Sequence, residues 1–307
     1  MPDPLVVEVI RSGARESLHE VDVAVVDADG RLMASAGDPE QPAAYRSSSK
    51  PIQARVSLEA GWTPADARAL AIACASHNGE PEHIDTVRAV LADAGLEESV
   101  LRCPADVPLY LPAVMGVREK APVYHNCSGK HAAMVAACNA SGWPLESYRD
   151  DHHPLQAAVR ALIESFIGPV GGPLVDGCGV PTYLAPLRAL ARGLLAIDGG
   201  DEAAAMRAHP FLVAGSDRLD TDLMKAAPAV LIKSGAEGLA CLSVGGLGIA
   251  VKARDGAARA RGPAVMTVLE QLHLIPEGLL PQHREPPVLG GGERVGVLRA
   301  QGAIERA

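Results

Sequence analysis

Hydrophobic periodicity changes twice along this chain, and no other feature restricts its fold as much. Residues 5–10 and 21–26 are β-branched runs that pair as antiparallel strands, and Asp29-Gly30 offers a tight turn into residues 31–36. From Ser47 to about Asp222 the signals become helical. Thr63-Pro64 with Asp66 marks an N-terminal cap, Pro81 opens a helix ending near Gly95, and Asn126 precedes an Ala-rich run to Gly142. Residues 153–167, 182–193 and 201–213 continue the pattern. After Pro228 the period shortens again: AVLIKSG, LACLSV and GLGIAVKA read as three strands separated by glycines, and residues 263–274 as a closing helix. This order predicts an α/β fold with an antiparallel sheet formed by both chain ends and a helical lobe inserted between them. The chain, residues 1–307, is read as a single domain. Residues 1–46 and 228–307 would be its sheet region and 47–227 its mainly helical lobe.

Composition narrows the partners. The chain carries 28 basic against 37 acidic side chains, a net charge of −9, with only nine aromatic residues and no dense Lys/Arg run, which argues against nucleic acid. No stretch approaches 18 uninterrupted apolar residues, so no membrane span is expected. The N-terminal segment MPDPLVVEVIRSG lacks a signal peptide's basic region and cleavage site, and a cytoplasmic location is expected. Small molecules are the default ligand class. Cys74, Cys103, Cys127, Cys138, Cys178 and Cys241 form no CxxC pair and read as core thiols or ligands rather than disulfides.

Two short motifs carry chemistry. In Ser47-Ser48-Ser49-Lys50-Pro51, the hydroxyl of Ser47 and the amine of Lys50 stand three residues apart on one face of a helix's first turn. A serine is a weak nucleophile until a base takes its proton, and a lysine in a dry pocket can serve as that base. Lys233-Ser234-Gly235, at the end of a strand-like run, matches the K-[ST]-G element that accompanies SxxK in serine acyl-transfer enzymes. Ser76, after a helical run, stands where the penicillin-binding and β-lactamase architecture supplies a second hydroxyl. Read alone, it could equally be a polar helix cap.

The segments YRSSSKPIQA (45–54), CASHNGEPEH (74–83), VYHNCSGKHAAM (123–134), VDGCGVPTY (175–183), IKSGAEG (232–238) and GLGIAVK (246–252) resemble, in order, the motif series of the rhizobial-type, zinc-containing L-asparaginases of the asparaginase II family. The resemblance implies a serine β-lactamase-like fold and hydrolysis of the L-asparagine side-chain amide to L-aspartate and ammonia. It implies two serine–lysine pairs, Ser47 with Lys50 and Ser76 with Lys252, although Lys233 is an alternative partner for Ser76. It also implies a Zn2+ site at Cys127, Lys130 and Cys178, with Asp176 orienting a metal-bound water, and a homodimer.

Arg46, Lys233 and Asp176 are the candidate substrate-binding residues; Arg46 could hold an α-carboxylate bidentately or be a surface arginine on a loop. His77, His83, His152 and His153 lack a third ligand at metal spacing and are expected to be solvated or capping. SGKH lacks the upstream glycine and following Ser/Thr of a phosphate loop, so no nucleotide is expected. Two rivals stand beside the asparaginase reading: a β-lactamase or D-peptidase using the same motifs, and a non-catalytic amino-acid sensor.

Overall fold

The computed structural model describes residues 2–307. Its strands and helices begin with β1 (Leu5–Arg11), β2 (Ala14–Val26), β3 (Leu32–Ala36) and β4 (Pro42–Ala44). Next come α1 (Lys50–Glu59), α2 (Ala67–Ala73), α3 (Pro81–Asp93), α4 (Leu111–Val114), α5 (Ser128–Ser141) and α6 (Pro154–Ile167). They are followed by β5 (Gly171–Val175), β6 (Pro181–Pro186), α7 (Leu187–Ala196), α8 (Asp201–Ala208), α9 (Pro210–Val213) and α10 (Leu219–Ala226). The chain closes with β7 (Leu231–Ser234), β8 (Leu239–Val244), β9 (Leu247–Ala253), α11 (Ala258–Gln271), α12 (Pro281–Arg284), β10 (Pro287–Gly290), β11 (Glu293–Gln301) and β12 (Glu305–Arg306).

Two compact units result: one takes the chain up to Ser48, Ala185–Ala196 and Asp222–Ala307, and the other takes Ser49–Leu184 and Ile197–Thr221. The first is built on the expected antiparallel sheet from both chain ends. Its strand order is β10-β11-β1-β2-β9-β8-β7, with β3 on β2 and β12 on β3. Ser12 and Gly13 both adopt positive φ, as a two-residue type I′ hairpin requires, and turn β1 into β2. The first half of β2, ARESLHE, is mostly exposed and polar, which is why only residues 21–26 read as a strand. Strands β10 and β11, broken by Gly290 to Gly292, also escaped the sequence reading.

Helix α7 belongs to this unit although it lies within the predicted lobe. The run 182–193 was expected to be one helix; instead β6 pairs with β5 through residues 174–182 and 175–181, and the helix starts only at Leu187, after Pro186. A short apolar run suits either period, and pairing with β5 decides it. Leu187, Leu190, Ala191 and Leu194 form the buried face of α7. Contact with the sheet is close enough that a Cβ on Gly248 of β9 would lie 2.2 Å from the Ala191 carbonyl oxygen.

The second unit is helical around α5, whose residues 128–138 are all buried. A core poor in aromatic rings allows this, since Ala132, Ala133, Ala136 and Ala137 let neighbours approach closely. Gly129 is the tightest point, because a Cβ there would stand 2.2 Å from Ile72 O at the end of α2. The glycine of SGKH is thus explained by packing. Asp66 caps α2 by accepting from Ala69 N at 2.9 Å, and Gly142, in the left-handed conformation, ends α5 as the sequence suggested. The run 201–213 breaks at His209, before Pro210. Helix α11 starts earlier than predicted and carries Pro263 inside it.

Gly248→Ala should destabilise the protein by roughly 1–3 kcal/mol, because backbone rather than a flexible side chain must yield. Gly199→Ala, with nothing within 4 Å, should stay within about 0.5 kcal/mol. Equal urea midpoints for the two variants would contradict the close α7–β9 contact.

Candidate active site

The turn Arg46–Ser49 runs directly into α1, so Ser47 and Lys50 lie on one continuous helical segment. Lys50 is fully buried, and its Nζ donates to the Ala75 carbonyl at 2.6 Å and to Ser76 Oγ at 2.8 Å. The lysine of SxxK therefore meets the second serine. Sequence reasoning had paired Ser76 with Lys252 or Lys233.

Ser76 lies just past α2 on a segment held at both sides. Ser76 N donates to Val213 O at 2.9 Å, Asn78 N to Ala214 O at 2.8 Å, and His77 N to Asn126 O at 3.1 Å. His77 is buried, not solvated. Its Nδ1 accepts from Gly79 N at 3.1 Å, which places the ring proton on Nε2, 2.9 Å from Ser128 Oγ; that hydroxyl in turn donates to Val123 O at 2.7 Å. Burial pushes the His77 imidazole well below its ordinary value, and the nearby His83 and Lys50 add to the effect. His83 is the expected capping residue, accepting from Glu80 N at 3.2 Å. Burial lowers it too, against the opposing bond to Phe211 O. His153 caps α6 by accepting from Leu155 N.

The sequence analysis singled out neither Asn78 nor Glu80, although both lie within the quoted CASHNGEPEH. Asn78 Nδ2 donates to Ser216 O at 2.9 Å and to Glu80 Oε1 at 3.2 Å, while its Oδ1 accepts from Arg218 at 2.8 Å. Glu80 also receives Ser216 N and Ser216 Oγ, each at 2.8 Å.

The sheet unit carries the remaining candidates. Ser48 Oγ donates to Lys233 O at 2.9 Å, and a Cβ on Gly235 would lie 2.9 Å from that hydroxyl, so the KSG glycine leaves room for Ser48. Lys233 is buried, with Nζ donating to Ser234 O at 2.8 Å. Opposite it on β8, burial pushes the Cys241 thiol up to about 12. Lys252 is half-buried and donates to Ala253 O; burial lowers its amine. Arg46 holds a positive φ of 47° beside Ser47. A cleft of about 770 Å3 on this unit, between Glu270, Arg284 and Arg306, is lined by none of these residues.

The helical unit also gathers the proposed metal ligands. Cys127 stands at the N-cap position of α5, Lys130 in its first turn, and Cys178 on the loop after β5; all three are buried. Lys130 Nζ approaches Cys178 Sγ at 3.0 Å. The hydrogen bond from Cys127 and the Lys130 ammonium hold the Cys178 thiol far below its ordinary value despite burial, while that same bond and burial keep Cys127 protonated. Burial opposes the Lys130 ammonium, but Cys178, Cys127 and Asp176 hold its pKa above the usual value. Asp176 Oδ1 accepts from Gly177 N at 2.7 Å. Among the described residues no three His, Cys, Asp or Glu side chains gather to hold a metal; the third donor here is an amine. The set still fits zinc: two sulfurs and a nitrogen share one buried place, with the His131 imidazole against the Cys178 sulfur. Zinc would have to displace the proton of Lys130.

A buried hydroxyl bonded to a buried lysine amine, within a mixed α/β chain, defines a candidate hydrolase of small molecules. A family model described as L-asparaginase II matches residues 7–300, and the chain belongs to that family, which makes it an asparaginase-like hydrolase. No curated protein matches it. Among solved structures it is similar to a β-lactamase from Mycobacterium bovis, at 19% identity over 83% of this chain and 95% of that one, with a TM-score of 0.36. It is also similar to a protein called Mglu, at 16% identity over 83% of this chain and 67% of that one, with a TM-score of 0.35. Neither likeness is close enough to carry an argument. No helix among the described residues is long and apolar enough to cross a membrane.

The buried histidines imply a pH response. Below about pH 6.5 the unfolded chain takes up protons at His77 and His83 that the folded chain refuses, so stability should fall as the pH drops. The slope can reach at most about 1.4 kcal/mol per pH unit for each histidine. A urea midpoint that stayed constant or rose between pH 7.5 and pH 5 would contradict this.

Proposed function

We propose that the protein is an L-asparagine amidohydrolase, releasing L-aspartate and ammonia through an acyl-enzyme. The observation that carries this is the bond from Lys50 Nζ to Ser76 Oγ, together with the continuity of Ser47 and Lys50 on one helical segment. One buried amine thereby meets the proposed proton relay at Ser76 and stands three residues along the chain from the proposed nucleophile. Ser47 Oγ adds to the side-chain carboxamide carbon while Lys50 takes its proton. The C–N bond then breaks, and the departing ammonia takes that proton through Ser76. Water adds to the ester carbon as Lys50 accepts its proton, and cleavage of the ester C–O bond returns that proton to Ser47. The balance is asparagine plus water to aspartate plus ammonia.

Lys252, its amine lowered by burial, is the family's second lysine and shares in the proton transfer. Lys233 orders the KSG strand beside Ser48. Cys127, Lys130 and Cys178 would hold zinc, which when bound supplies a positive charge that organises the loop of Asp176 and Cys178 and favours substrate binding.

Ser47→Ala should cost at least about 10^3-fold in kcat and Ser76→Ala about 10^2-fold, with both proteins folded. Near-normal turnover in folded Ser47→Ala would move the nucleophile to Ser76. Nitrocefin turnover without ammonia release from asparagine would replace the asparaginase reading with a β-lactamase one.

The purified protein should contain about one zinc per chain, resting on the single ligand set. Cys178→Ala should lose it and raise KM more than it lowers kcat. Full zinc retention in Cys178→Ala would exclude this site.

A further inference from the structure

The proposed mechanism does not use Arg218. It stands on the loop after α9, and among the described residues its guanidinium donates one N–H, to Asn78 Oδ1 at 2.8 Å. Among the described residues no carboxylate lies within 4.0 Å of it, so its charge is not neutralised by an ion pair. A guanidinium presents five N–H donors in a plane, and four remain for something else.

The bracket around Arg218 is rigid. The nearby acid, Glu80, has both oxygens occupied by Ser216 and Asn78, so it does not take up the arginine. Asn78 uses its carbonyl for Arg218 and its amide for Ser216 and Glu80. Gly215 is packed so tightly that a Cβ would fall 2.4 Å from Glu80 Oε1, and Asp217, beside Arg218, is held at φ 58°. A non-glycine residue in that conformation carries strain, which the surrounding bonds overcome.

The bracket is fixed to the segment that carries the proton-relaying Ser76. Ser76 and Asn78 send their N–H groups to one side, to Val213 O and Ala214 O, and His77 between them sends its own to Asn126 O, the alternation of an extended backbone. In such a run alternate side chains face the same side, about 7 Å apart. An amino acid whose departing amide nitrogen lies at the proton-relaying Ser76 carries its α-carboxylate three bonds beyond the amide carbon, and Asn78 with the arginine it holds stands on that same side of the segment. Arg46, the candidate from sequence, already has a partner within the protein.

We propose that Arg218, oriented by Asn78, binds the α-carboxylate of the amino-acid substrate and thereby selects free amino acids over their esters, amides and peptides. This rests on the hydrolase reading above. The test compares wild type, Arg218→Met and Arg218→Lys on L-asparagine and on its α-methyl ester, following ammonia, with circular dichroism as a check of folding. It is paired with calorimetric titration by L-aspartate, which needs no turnover.

In wild type the ester should show a KM about 10- to 100-fold above that of the acid. Arg218→Met should raise KM for asparagine by a similar factor with a smaller change in kcat, and should treat acid and ester alike; Arg218→Lys should recover part of the difference. L-Aspartate should bind wild type and not Arg218→Met. If wild type released no ammonia, the hydrolase reading would fall by itself, and the titration would still judge Arg218. An unchanged acid-to-ester ratio in a folded Arg218→Met protein, or aspartate binding equal to wild type, would overturn the proposal.

Discussion

The Lys50 amine has no contact with bulk water, and much of the helical unit is arranged to make that tolerable. A buried cation needs oxygen partners, or its desolvation exceeds what a marginally stable domain can bear. Here the partners are the carbonyl of Ala75 and the hydroxyl of Ser76, both neutral, brought up by a segment that is itself held by residues 213 and 214 and by Asn126. With a carbonyl and a hydroxyl it is held in position without an ion pair.

Three buried lysines show how environment differentiates one residue type. Lys50 faces a carbonyl and a hydroxyl, Lys233 bonds the carbonyl of the next residue, and Lys130 faces a thiolate. The last is a charge pair in a dry place, so thiolate and ammonium sustain each other. Metal binding would exchange that proton for a coordinate bond, which couples zinc affinity to pH.

Small residues make these approaches possible. The backbone of α2 meets α5 at Gly129, and α7 meets β9 at Gly248, both at distances no Cβ would allow. With few aromatic rings, the core depends on close backbone contact. The positions that look like motif glycines are therefore packing glycines as much as functional ones.

Ser76 and the cluster of Cys127, Lys130 and Cys178 were marked through the family resemblance. The sequence by itself determined the alternation from strands to helices and back, the sheet built from both ends, the caps at Asp66 and Gly142, and the SxxK and KSG motifs. Those features depend on local period, turn chemistry and short spacing, which neighbouring residues encode. It did not determine that residues 182–186 form a strand, that α7 packs on the sheet, or that the polar half of β2 pairs with β1, because pairing partners far along the chain settle those choices. Only the tertiary structure decided that Lys50 bonds Ser76 and that Asn78 holds Arg218. Each bond joins groups 26 and 140 residues apart, and the position of a side-chain atom to within a hydrogen bond depends on how whole elements pack, which no local pattern specifies.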